Sequence, residues 1–115
     1  MQLIDEAGVQ QILDRLKGQD LYIHLEMTNG AYASHMDKSR HTASTFIKNA
    51  QVRYSEGSIA GKGPYRVGLK LEQGGWVYSE GLTHWEDSET ERLVMAGHDK
   101  EGRLVVALQL SREPF

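Results

Sequence analysis

The chain contains no cysteine. Disulfides, thiolate nucleophiles and cysteine-ligated zinc are thereby excluded, and so are the small secreted scaffolds that disulfides hold together. A reducing cytoplasm suits such a chain, and a cytoplasmic location is the expectation. Charge of one sign is also missing: 13 basic and 16 acidic side chains leave a net charge of −3, with neither sign gathered into a stripe. Nucleic-acid binding by phosphate neutralisation is disfavoured. The first residues, Met1-Gln2-Leu3-Ile4-Asp5-Glu6, show no basic region leading into an apolar run. Nowhere do about 18 uncharged apolar residues follow one another, so neither export nor a membrane-spanning segment is expected. Asn29 and Asn49 are not followed by serine or threonine two positions on, so neither is a glycosylation acceptor.

Catalytic and metal signatures are scarce as well. The five histidines, His24, His35, His41, His84 and His98, form no His-x-His, His-x-x-x-His or HExxH pattern, so no metal and no other cofactor is expected. No serine sits in a Gly-x-Ser-x-Gly elbow. Residues 57–63, GSIAGKG, imitate a phosphate-binding loop. They are one residue short between the outer glycines, end in glycine where serine or threonine must reach magnesium, and run into Pro64 and a strand rather than a helix. Turn glycines between two strands explain them better.

What the chain does have is 115 residues with 39% hydrophobic and 25% charged side chains, enough for one core and too little net charge for disorder. A single domain over residues 1–115 is expected. Over residues 5–17, Val9, Ile12, Leu13 and Leu16 recur at i, i+3, i+4, i+7, which predicts an amphipathic helix. Asp5 is placed to cap it, and Gly18 to end it in a left-handed conformation. After Gly18 the period becomes two. Leu21, Ile23, Leu25 and Met27 alternate with Tyr22, His24, Glu26 and Thr28, Asn29-Gly30 reads as a tight hairpin turn, and 31–36 reads as the returning strand. Further strands are expected at 45–54, 58–62, 65–71, 76–82, 93–98 and 103–110, separated largely by glycine-rich turns. No crossover helix is available for parallel pairing. The fold class is therefore mainly β, an N-terminal helix packed on an antiparallel meander of about seven or eight strands, barrel-like or a sandwich. A small β domain must protect its edges, so a homodimer is expected.

The polar face of the first long strand offers the main candidate site. His24 and Glu26 project from one strand face, and a histidine beside a carboxylate is how a general base is tuned or a polar ligand held. The turn brings Tyr32 back alongside, with Arg66 and His98 the expected contributors from elsewhere. The opposing reading is a solvated face of a half-buried sheet. Trp76, Tyr78 and Glu80 share another face, where the aromatic pair suits a core, a ligand pocket or a subunit interface.

The segments YIHLEMTNGAYASH (22–35), GPYRVGLKLEQGGWVYSEGLTHWE (63–86) and AGHDKEGRLVVALQLS (96–111) closely resemble the YojF family, small bacilli proteins of unknown function, and the likeness runs almost end to end. In bacilli the family's genes tend to lie beside one for a LmbE-like, zinc-dependent deacetylase of the type used in bacillithiol synthesis. The resemblance thus implies such a deacetylase as a partner, with an accessory role in low-molecular-weight thiol metabolism. It carries no catalytic residues. Two functions stay open: a non-catalytic binding or accessory module, and a small enzyme or ligand-binding barrel using the cluster around His24 and Glu26. A purely structural, self-associating protein is a third.

Overall fold

A computed structural model describes residues 1–29 and 43–115. The helix, α1 (Glu6–Leu16), forms where the period of its apolar stripe places it, with Val9, Ile12, Leu13 and Leu16 all buried. Asp5 caps α1 through its backbone, its carbonyl accepting from Val9 N at 3.0 Å, while its side chain makes no capping hydrogen bond. Gly18 adopts φ +75, the left-handed turn expected of it.

Nine strands are present among the described residues: β1 (Gln2–Leu3), β2 (Leu21–Asn29), β3 (Ala43–Val52), β4 (Tyr54–Gly61), β5 (Tyr65–Leu71), β6 (Trp76–Leu82), β7 (His84–Trp85), β8 (Leu93–His98) and β9 (Leu104–Ser111). Every pairing is antiparallel. They form a six-stranded sheet in the order β1-β7-β8-β9-β2-β3 and a three-stranded sheet β4-β5-β6. This corrects the expectation of one meander and of a barrel. Among the described residues only the small sheet is a simple meander, and the two sheets do not join into a closed barrel. The reason lies at two one-residue crossings, Arg53 between β3 and β4 and Thr83 between β6 and β7, where the chain leaves one sheet and enters the other. Strands that change sheets at a bend make corners rather than closing a ladder.

At the second corner the backbones nearly touch. A Cβ built on Gly97 would lie 2.0 Å from the carbonyl oxygen of Gly81, so β8 can pass β6 there only without a side chain. The β8–β9 loop is held by Asp99, whose Oδ1 accepts from the backbone nitrogens of Glu101 (2.9 Å) and Arg103 (3.0 Å). These bonds, the Arg103 backbone first, hold its carboxyl below the usual range.

One apolar core joins α1 to both sheets, drawing Leu21 and Ile23 from β2, Val67 and Leu69 from β5, and Met95, Leu108 and Leu110 from β8 and β9. Tyr54 completes it. Fully buried, it donates its hydroxyl to the Leu13 carbonyl at 2.6 Å and so ties the helix to the small sheet. Burial, and behind it the charge of Asp14, pushes this phenol well above its ordinary range. Among the described residues no helix is long and apolar enough to cross a membrane.

Candidate functional site

His24 and Glu26 stand where strand alternation puts them, neighbours on one face of β2 with His24 Nε2 3.4 Å from Glu26 Oε2. Their side chains keep only 15% and 19% of their exposure. The cover is aromatic: the His24 ring meets Phe46 of β3 edge-on at 6.2 Å and Phe115 at 6.3 Å. Phe115 is held by a bulge. Ile23 pairs with Ala50 and His24 with Lys48, so Asn49 is an extra residue in β3, at φ +58. Its side-chain amide donates to the Phe115 carbonyl (3.1 Å) and accepts from the Phe115 nitrogen (2.7 Å). This arrangement can hold a proton between imidazole and carboxylate beside an apolar wall.

Arg66 and His98 do not join it. Tyr32, Gly30 of the expected turn and the returning strand over 31–36 lie outside the described residues; among these, the partners of β2 are β3 and β9. Arg66 belongs to β5 in the other sheet, where it pairs with Glu80 at 3.3 Å. His98 lies on β8 with its ring 5.1 Å from that of His84. The register places Gln109 between His24 and Val94, which puts His98 four residues further along β8. Among the described residues no group of three or more histidine, aspartate or glutamate side chains is placed to hold a metal.

A different constellation is prominent on the outer face of the small sheet. Trp76 and Tyr78, two apart on β6, stack with centroids 5.6 Å apart and planes 6° from parallel. The Arg66 guanidinium lies 5.0 Å from the Tyr78 ring centre and continues the row. Tyr78 leans over Gly68, its register partner, where a Cβ would come within 2.9 Å of the ring. Both aromatics are about half exposed, 52% and 51%. Their i, i+2 spacing announces the shared face; the place of Arg66 in the row depends on which strand pairs with β5, which no local pattern reveals. Met27, Phe46 and Ile47 of the β2–β3 pair are exposed too, Phe46 on the face of His24 and the other two on the opposite face.

Comparison with known proteins bears out the resemblance. A family model described as protein of unknown function (DUF1806) matches residues 3–115. The uncharacterized protein YojF of Bacillus subtilis (strain 168) is 46% identical over 115 residues, which is 100% of this chain and 98% of that protein. The crystal structure of Bacillus subtilis YojF protein superposes with a TM-score of 0.80 at 43% identity, covering 99% of this chain and 95% of that one.

Proposed function

Since the chain belongs to the DUF1806 family of proteins of unknown function, we propose that it is a non-catalytic binding module whose contact face is the row Trp76, Tyr78 and Arg66. The observation that carries this is the exposed stack itself. Two large aromatics left half in water forgo burial that a core position would give them. Tryptophan, tyrosine and arginine are also the residues in which interface energy concentrates. Mutual stacking and the bare Gly68 beneath fix the rings in advance, so little side-chain freedom remains to be lost on contact.

The module works in the cytoplasm as a homodimer paired through β3, an edge strand of the six-stranded sheet among the described residues. Its partner is the LmbE-like deacetylase implied by the family resemblance. Titration of that purified deacetylase by calorimetry tests the reading. Wild type binds, while Trp76→Ala/Tyr78→Ala weakens binding by about 30-fold or more at an unchanged melting temperature. Equal affinity for both proteins would sink the proposed face, and no binding by wild type would withdraw this partner.

A further inference from the structure

We propose that the groove at the first sheet crossing is a binding site for a small organic anion, one bearing a phosphate or carboxylate head, held between Arg53 and Arg112. The site is separate from the aromatic face and independent of the function proposed for it.

The groove encloses about 880 Å³, a volume suited to a metabolite, and both arginines line it together with Tyr22 and Gln51. Its walls come from both sheets: the start of β2, the end of β3, the end of β5 with the following turn, and the residue after β9. Backbone hydrogen bonds fasten those walls to one another. Gly18 N donates to Tyr54 O at 2.9 Å, and Glu72 N to Arg53 O at 3.0 Å, so the residues framing Arg53 are anchored on either side. Arg112 is steadied from outside the groove, its Nε donating to Gln19 and its Nη1 to Glu91 at 2.7 Å. A preformed frame of this kind lowers the cost of ordering when a ligand enters.

The unfilled guanidinium donors suit an anion. The closest ion pairs of Arg53 run through Nε, at 3.4 Å to Asp20 and 3.8 Å to Glu72, looser than the paired, two-bond geometry that arginine and a carboxylate favour. Its two terminal amino groups make no hydrogen bond among the described residues, and neither does Nη2 of Arg112. Asp20 and Glu72 therefore stand in loosely for the ligand's head, Asp20 with its side chain 92% exposed and easily displaced. Tyr22 and Gln51, register partners across β2 and β3, line the same groove and carry neutral polar groups. A planar or tetrahedral oxyanion is the group that guanidinium forks recognise best.

The test is a heteronuclear NMR titration of the whole chain with inorganic phosphate and, separately, with citrate, each against chloride at matched ionic strength. Saturable shifts confined to the backbone around Arg53, Glu72 and Arg112 with either anion are expected, and which anion saturates first tells the two heads apart. Arg53→Gln and Arg112→Gln should each weaken binding by about tenfold or more. Glu72→Gln, which removes a resident competitor and keeps the shape, should tighten it several-fold. Shifts that chloride reproduces, shifts centred on Arg66 and Lys70 instead, or a Glu72→Gln variant that binds no more tightly would each overturn the proposal.

Discussion

The β8–β9 pair and the β2–β3 pair are both antiparallel ladders of the six-stranded sheet, yet they meet opposite fates. β8 and β9 sit inside the six-stranded sheet with a neighbour on each side, and Leu93, Met95, Ala96 and Gly97 are all buried. Among the described residues β3 is an edge strand, and its residues 43–48 are all exposed, Phe46 and Ile47 among them, as is Met27 across the ladder. Pairing into the sheet therefore does not decide a strand's burial, which depends on what the rest of the chain lays over each face. Stability concentrates in the central pair. The outer pair leaves apolar side chains exposed.

The sharpest way to break this contrast is at the tightest point of the centre. Gly97→Ala drives a methyl into the Gly81 carbonyl and against Val106, and neither the β6 backbone nor the paired β9 strand can step aside freely. A loss of about 3 kcal/mol or more is expected in urea unfolding. A variant within about 0.5 kcal/mol of wild type would show that the corner is looser than described. A milder perturbation lies in the same core. Tyr54→Phe removes the hydroxyl that satisfies the buried Leu13 carbonyl, at an expected cost of about 1 to 3 kcal/mol.

Tyr54 also sets a pH dependence. Its folded-state pKa is raised above that of the unfolded chain, so its contribution is complete below the unfolded value of about 10 and is lost as pH climbs beyond it. Wild type should lose stability above about pH 10 by a margin that Tyr54→Phe lacks, and matching alkaline melting curves would contradict this. The smallest effect belongs to the outer pair. Phe46→Ser with Ile47→Thr should leave the melting free energy within about 0.5 kcal/mol while converting a dimer to a monomer in sedimentation velocity. A dimer that survives the double change would move the interface away from β3.

Local regularities were legible in the sequence and long-range ones were not. The helix stripe and the strands at 65–71, 76–82 and 93–98 follow from residue period and turn glycines, and they stand at those positions. The division at Arg53 escapes such a reading because neither glycine nor proline marks it, so 45–54 reads as a single strand where β3 ends and β4 begins. β1 and β7 are too short, at two residues each, to show any period. The contact of His24 with Glu26 follows from i, i+2 spacing, whereas the clasp of Asn49 on Phe115 joins residues 66 positions apart. Arg66 was recognisable as a candidate cation, but Glu80 and Tyr78 as its neighbours required knowing that β6 pairs with β5.

The two crossings at Arg53 and Thr83 also impose an order of assembly. Everything between them, β4 to β6, is a meander of neighbouring strands joined by short turns, and such local pairing closes its loops at little entropic cost. In the larger sheet such local pairing is confined to β7–β8–β9 and to β2 with β3. Gln2 pairs with Trp85 and Tyr22 with Ser111, so its first and middle strands wait for partners made near the far end of the chain. During synthesis β4 to β6 emerge before β9, the second partner of β2. Until the last strand arrives, the strand bearing His24 and Glu26 has an open hydrogen-bonding edge, and that interval is when a nascent chain most needs shielding from its neighbours.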